Sequence, residues 1–106
     1  MQAKLIEYTA MPKVLLYITA RITWTFLFFG TDVNENRAHV HVGKQGTEML
    51  AKFWLEPQVE LANKGSLSDA QLKQIQDIIE ANKATLLNQW KNFKAGKQVK
   101  MIKIQK

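Results

Sequence analysis

The chain has no cysteine among its 106 residues. This absence excludes disulfide bonds, thiolate metal ligands and a cysteine nucleophile, and it fits a reducing cytoplasm, where we expect the protein to reside. Long apolar runs are also lacking. The most apolar stretch, residues 14–29, is interrupted by Arg21 and is shorter than the roughly 20 residues that a membrane-spanning helix needs. We therefore predict no membrane segment.

Acidic residues are absent from the end of the chain. Residues 91–106 hold six lysines and no Asp or Glu, whereas residues 1–90 hold nine basic and nine acidic residues. The net charge of +6 therefore comes entirely from the terminal segment. Its lysines at 97, 100 and 103 are candidate contacts for a nucleic acid or an acidic protein partner. The alternative is a solvated edge strand that lysine guards against sheet-to-sheet pairing.

The hydrophobic pattern divides the chain into a strand-rich first half and a helical second half. Strands are predicted where β-branched and aromatic residues cluster or alternate with polar ones, at residues 2–9, 13–19, 22–29, 37–42 and 47–55. Asp and Asn in residues 30–36 favour a loop, and the GKQG stretch at 43–46 favours a hairpin turn.

A helix-start signal stands at Ser68, because Gln71 three residues later completes a capping box. Apolar residues then recur at helical spacing and falter at residues 80–83. This pattern predicts either one long kinked helix or two consecutive helices. Gly96 is the natural terminator, and residues 98–104 favour a last short strand.

Together these elements predict a single α+β domain over residues 1–106. Its mostly antiparallel sheet lies in the first half, the helices pack on one face of that sheet, and a short strand ends the chain. Residues 97–106 form the basic C-terminal strand or tail. A chain of this length buries enough apolar surface for one hydrophobic core.

The only two histidines, His39 and His41, lie two residues apart in a predicted strand. Side chains alternate across a strand, so Val40 and Val42 should face the helices and both imidazoles should lie on the opposite face. A polar outer face of this kind would leave both rings accessible to a ligand.

The hairpin turn predicts which residues share that face with the histidines. If the strands on either side of the turn pair, Lys52 and Trp54 lie beside the two imidazoles. A polar outer face does not need a tryptophan, so this face is a candidate binding surface. Arg37, the first residue of the strand predicted at 37–42, alternates to the same side as the histidines and adds a second cation.

One interpretation of the histidine pair is a metal site. Two imidazoles at i and i+2 on a strand can bind one ion, and a carboxylate from Asp32, Glu35 or Glu48 could be the third ligand. Catalytic zinc sites have three protein ligands of this kind and one open position.

Two further interpretations need no metal. His39 and His41 could act as an acid/base pair in RNA cleavage, with Arg37 or Lys44 stabilising the developing charge. Alternatively the rings could be structural, packing in the sheet and bonding to loop groups such as Asp32. The residues alone leave all three interpretations open.

Several stretches together resemble one bacterial family, the "domain of unknown function 4160". They are Met11-Pro12, FLFFG, AHVHVGKQG, AKFWLEPQVELANKGSLS and LLNQWKNF. The likeness covers roughly residues 11–95, and the positions that match best are His39, His41, Val42 and Trp90. Many members have a turn of the form D-H-x-P-P-H-x-H-V.

This chain departs from the family pattern in the turn before the histidines. Asp32-Val33 and Asn36-Arg37-Ala38 replace the family's first histidine and its two prolines. A site of three histidines would therefore lack its first ligand here. The resemblance implies no established activity. It does imply a gene arrangement like that of toxin–antitoxin pairs, in which the partner is another small protein.

The sequence therefore predicts a small binding or regulatory module without a cofactor, acting on a protein partner or a nucleic acid. The candidate binding residues are Arg37, Lys52, Trp54, Lys97, Lys100 and Lys103. The alternative is a nuclease-like or metal-dependent hydrolase in which His39 and His41 are catalytic and Asp32 or Glu35 assists. An exposed edge strand and a patch of Leu50 and Trp54 would also allow a homodimer.

Overall fold

The computed structural model describes residues 11–46 and 51–106. Its elements in chain order are β1 (Lys13–Ile18), β2 (Thr23–Leu27), a 3-10 turn (Gly30–Asn34), β3 (His39–Lys44), β4 (Ala51–Trp54), β5 (Glu60–Asn63), α1 (Asp69–Ala81), α2 (Lys83–Lys94) and β6 (Ile102–Gln105). This order confirms the predicted α+β class. The strand predicted at 2–9 lies outside the described residues, as does the first part of the one predicted at 47–55. No helix within 11–46 or 51–106 is long and apolar enough to cross a membrane.

The six strands form one sheet in the order β5-β4-β3-β2-β1-β6. All neighbours are antiparallel except β1 and β6, which are parallel. A parallel pair needs a long connection, and the two helices lie within the connection that leads to β6. Among the described strands, β5 and β6 therefore form the two edges of the sheet. The sequence did not predict β5, because all four of its residues are exposed and no apolar alternation marks it.

The core lies between the helices and one face of the sheet. It is built from strand residues that alternate inward and from one stripe of each helix. Its fully buried members include Trp24, Phe26, Val40, Val42, Phe53, Ile75, Ile79 and Leu86. This arrangement confirms that Val40 and Val42 pack in the core between the sheet and the helices.

Local signals fix the helix ends where the sequence placed them. The Ser68 hydroxyl accepts from the Gln71 backbone N–H at 3.2 Å, and the Gln71 side chain accepts from the Ser68 N–H at 3.0 Å. Asn82 separates α1 from α2, so the helical region is two consecutive helices. α2 ends at Gly96, whose φ of 75° is the left-handed conformation that glycine adopts without strain.

Gln89 joins α2 to the C-terminal segment. Its buried side-chain amide donates to the Val14 carbonyl at 3.1 Å and to the Lys100 carbonyl at 2.6 Å. These bonds tie the approach to β6 onto β1. β6 itself occupies residues 102–105, a shorter strand than the predicted 98–104.

Replacing Gln89 by leucine should lower the free energy of unfolding by about 1–3 kcal/mol, because both carbonyls lose their amide donor. Urea denaturation measures this effect. Gln74→Leu is the matched control on the exposed face of α1 and should change stability by no more than about 0.5 kcal/mol. Equal effects of the two substitutions would show that the Gln89 bonds contribute nothing.

Candidate functional site

The 3-10 turn aims an aspartate back at the strand that precedes it. The backbone N–H of Asp32 donates to the Phe29 carbonyl at 2.9 Å, and the Asp32 side chain accepts from the Phe29 N–H at 2.8 Å. These two bonds fix the carboxylate at the end of β2. The side chains of β3 lie next to it, because β2 and β3 pair with Leu27 opposite His41.

Asp32, His39 and His41 converge on one point and form what we call the Asp–His–His cluster. His41 Nε2 lies 3.0 Å from Asp32 Oδ2, and His39 Nε2 lies 3.2 Å from the same oxygen. Their three ligand atoms all lie within 4.8 Å of one another. Asp32 is 3% exposed, His39 0% and His41 8%. The predicted convergence of the two imidazoles with Asp32 is therefore present, but in the interior.

The hydrogen bonds determine which ring nitrogen of His39 carries a proton. His39 Nδ1 lies 2.9 Å from the carbonyl oxygen of Arg37, and a carbonyl can only accept, so Nδ1 is the protonated donor. His39 Nε2 then faces Asp32 without hydrogen-bond geometry and is a buried polar atom with no hydrogen-bond partner among the described residues. His41 Nε2, in contrast, forms a hydrogen bond to the carboxylate.

The environment of Asp32 keeps its carboxyl group ionised. Burial alone would raise the pKa of Asp32, but the adjacent imidazoles of His39 and His41 and the hydrogen bond from the Phe29 N–H outweigh burial and hold the pKa well below its ordinary value. A carboxylate is therefore present at neutral pH. It gives the cluster one fixed negative charge next to two imidazoles.

Aromatic rings close the cluster on several sides. Phe29 stacks on His41 with ring centroids 3.8 Å apart. Trp90 of α2 lies 4.9 Å from the His39 ring, and Trp54 lies 5.7 Å from it. The expectation that both imidazoles lie accessible on a polar outer face is therefore wrong, because both rings are buried and Trp90 of α2 packs against His39. The turn and α2 both close over the start of β3, so neither ring lies on an open sheet surface.

Lys94 attaches the end of α2 to the 3-10 turn. Its ammonium donates to the Val33 carbonyl at 2.7 Å and to the Glu35 carbonyl at 2.6 Å. Lys94 is one of the six lysines of residues 91–106, but its ammonium is bound to the turn. Two carbonyls that point outward from a short turn are good acceptors for an ammonium, and the contact holds the turn against α2.

Replacing Lys94 by methionine should lower the free energy of unfolding by about 1.5–3 kcal/mol, because charge-assisted bonds to the turn are lost. It should also speed hydrogen exchange at the Asp32 and Glu35 amides, which close the turn. Lys91→Met is the control, since Lys91 is exposed on the same helix. Identical exchange rates in the two variants would contradict the role given to Lys94.

Three of the predicted binding residues lie together on the β4 side of the cluster. The register places His39 opposite Trp54 and His41 opposite Lys52, as predicted. The Arg37 guanidinium lies 4.2 Å from the centre of the Trp54 ring, and the Lys52 ammonium lies 4.5 Å from it. Trp54 is half-buried between strand neighbours.

Both cations beside Trp54 also have acidic partners. Arg37 pairs with Glu60 at 3.1 Å and donates to the Glu56 carbonyl at 2.8 Å. Lys52 lies 3.7 Å from Glu35, so this carboxylate is paired at the surface and does not enter the cluster. Glu48, another candidate ligand, lies outside the described residues.

The lysines of the tail do not join this surface. Lys97, Lys100 and Lys103 are exposed along the approach to β6 and within it. Three strands separate β6 from β4, which corresponds to roughly 19 Å across the sheet. The six predicted binding residues therefore form two separate groups.

These features define a two-layer α+β domain with a closed Asp–His–His cluster at the junction of turn, sheet and second helix. The family model of the domain of unknown function DUF4160 matches residues 24–91, more than half of the chain, and the protein belongs to that family. The matched span includes the whole cluster and Trp90. No curated protein and no solved structure matches the chain.

Proposed function

We propose that this domain is a small cytoplasmic binding module whose β6 edge receives an acidic segment of a protein partner as an added strand. The observation that carries the proposal is a sheet edge that no other strand of residues 11–46 and 51–106 covers and that combines exposed lysines with exposed aliphatic side chains. Such a partner fits a regulatory role in a two-gene, toxin–antitoxin-like pair.

The edge offers backbone groups for pairing. β6 pairs with β1 on one side, with Ile102 opposite Leu15 and Ile104 opposite Tyr17. No other described strand lies on its second side. An extended peptide can add to such an edge through main-chain hydrogen bonds, while alternate side chains give specificity.

The charges of the edge favour an acidic partner. Lys97, Lys100 and Lys103 form no ion pair with another residue of the described chain. A row of lysines repels basic or identical edges and so prevents non-specific sheet pairing. The same lysines attract an acidic strand.

The side chains around the edge favour protein over nucleic acid. Met101 is 37% exposed and Ile102 is 38% exposed, and aliphatic groups of this kind pack against a peptide. Single-stranded nucleic acid needs aromatic rings near the cations for base stacking. Trp54 lies at the other end of the sheet and Trp90 is buried. The ring next to β6 is Tyr17, which is half-buried and already has the Lys106 ammonium 6.0 Å from its centre.

The hydrolase alternative has less support than the binding module. A catalytic pair must reach its substrate, and His39 and His41 are 0% and 8% exposed. We therefore place the partner at β6 and not at the histidines.

Peptide binding to the full chain tests the proposal by fluorescence anisotropy. The probe is a ten-residue peptide in which glutamate alternates with valine, and its control has the same charge but prolines that prevent strand formation. Charge reversal by Lys100→Glu with Lys103→Glu should weaken probe binding by about tenfold or more. The matched control, Lys64→Glu with Lys91→Glu, makes the same change of net charge away from β6 and should have a smaller effect.

Selective binding of the strand-forming probe, lost on reversal at 100 and 103, supports the proposal. Equal binding of the two peptides would overturn the added strand. Tighter binding of single-stranded RNA than of the acidic probe would overturn the choice of a protein partner.

A further inference from the structure

We propose that the Asp–His–His cluster is a binding site for one divalent transition-metal ion of the zinc class. Its protein ligands are Asp32 Oδ2, His39 Nε2 and His41 Nε2, which converge on one buried point. The proposal is independent of the β6 edge, because it concerns the opposite half of the sheet.

The spacing of the donor atoms fits a common ion. Zinc binds imidazole nitrogen and carboxylate oxygen at about 2.0–2.2 Å, which places neighbouring ligand atoms roughly 3–3.5 Å apart. The distances from Asp32 Oδ2 to His41 Nε2, 3.0 Å, and to His39 Nε2, 3.2 Å, already lie in this range. The ion would need only small side-chain shifts to bind.

The second observation is the orphaned nitrogen of His39. Its Nδ1–H donates to the Arg37 carbonyl, and a backbone carbonyl on the second nitrogen is the usual support for a histidine that binds metal through Nε2. The side chain is fully buried, and Nε2 faces the carboxylate without a hydrogen bond. A cation between Nε2 and Oδ2 would give both atoms a favourable partner.

The donor set selects a class of ion. Two imidazoles and one carboxylate suit zinc and its first-row neighbours, whereas magnesium and calcium prefer oxygen ligands alone. The chain has no thiolate that would favour Cu(I). Asp32 supplies one negative charge toward the two positive charges of the ion.

Three protein ligands leave one coordination position open, as in catalytic zinc sites, but the burial of all three favours a structural role for the ion. An ion at this position would join the 3-10 turn, which carries Asp32, to β3, which carries both histidines. Phe29 covers His41 and Trp90 covers His39, so a macromolecular substrate would not reach it. Metal binding at this position would stabilise the fold by fixing the turn against β3.

Zinc titration of the full chain, free of any added histidine tag and treated with a chelator, tests the site. Isothermal calorimetry should give one zinc ion per chain with a dissociation constant of roughly 1 μM or tighter, and magnesium should not compete. Cobalt is the spectroscopic probe, because its visible absorption reports nitrogen and oxygen coordination. His41→Gln and Asp32→Asn should each weaken zinc binding by about 100-fold or more.

Glu35→Gln is the matched control, since it neutralises a carboxylate of the same loop outside the cluster and should retain the wild-type affinity. Circular dichroism identifies any variant that does not fold. The cobalt spectrum of the wild-type chain tests the site without relying on the folding of any variant. An ion retained in His41→Gln would overturn the proposal. So would a folded wild-type chain that binds no zinc at 100 μM.

Discussion

Replacing Asp32 by alanine should lower the free energy of unfolding by about 3–5 kcal/mol, because removal of one partner leaves a buried polar network uncompensated. The carboxylate accepts from the Phe29 N–H and from His41, and it faces His39 at 3.2 Å. A domain of this size has a total stability of only about 5–15 kcal/mol, so the loss is a large fraction of it. Urea denaturation of the chelator-treated protein measures the effect.

The control for Asp32→Ala is Glu35→Ala in the same loop. Glu35 is about half exposed, and its contact with Lys52 is 3.7 Å long. Exposed ion pairs contribute little, so this substitution should change stability by no more than about 1 kcal/mol. A loss below 1 kcal/mol for Asp32→Ala, comparable to the control, would mean that the cluster does not hold the turn.

The same carboxylate gives an expected pH dependence in the metal-free protein. The folded pKa of Asp32 lies below its unfolded value, so its contribution to stability is present above pH about 4 and is lost as the pH falls toward the folded pKa. The stability difference between wild type and Asp32→Asn should therefore be largest near neutral pH and should narrow in acid. A difference that grows in acid would contradict the sign of the pKa shift.

Trp90→Ala should also cost about 3–5 kcal/mol of folding free energy, because it removes a large buried ring. Trp90 is 5% exposed and contacts Phe28 at 5.2 Å and His39 at 4.9 Å between ring centroids. It is the side chain through which α2 reaches the cluster. Its loss should therefore expose His39 as well as destabilise the core.

Trp54→Ala is the control for Trp90, because it removes the same side chain from a half-buried position. Besides an edge contact with His39, its ring contacts the surface cations Arg37 and Lys52, so its cost should be about 1–2 kcal/mol. Urea denaturation of the two variants gives the comparison. Equal losses of unfolding free energy in the two variants would contradict the role of Trp90 in linking α2 to the cluster.

The parts of the fold that could be predicted are those that depend on local sequence. Ser68 and Gln71 begin α1 through bonds between residues three apart. The pairing of β3 with β4 follows from the alternation of apolar residues. Each of these signals lies within a few residues, so no distant contact was needed to interpret it. The turn predicted at 43–46 is wrong in its first two residues, because Gly43 and Lys44 extend β3 and pair with β2.

The burial of the histidines could not be predicted, because it depends on distant segments. Trp90 lies about fifty residues from His39 in the chain and packs on it only after α2 docks. Lys94 and Val33 are even farther apart, by 61 residues. Strand alternation assigned His39 to the correct side of β3, but it contains no information on what covers that side.

The separation of the two basic groups also depends on topology. Arg37 and Lys52 lie next to Trp54, whereas Lys100 and Lys103 lie at or beside β6. β6 pairs in parallel with β1, at the opposite edge of the sheet from β5. Nothing in the sequence of the last ten residues predicts that β1 is its partner. The buried Gln89 holds the segment before β6 in that position. The helical pattern around Gln89 did not predict that its side chain would bond two backbone carbonyls.

The central claim is that Asp32, His39 and His41 form one metal-binding centre, and imidazole nitrogen NMR tests it most directly. In the chelator-treated protein at neutral pH, His39 should carry its proton on Nδ1 and His41 should carry one on Nε2. After one equivalent of zinc, both rings should bind through Nε2 and carry protons on Nδ1, and His41 should therefore change tautomer. A His41 spectrum that one equivalent of zinc leaves unchanged would contradict the claim.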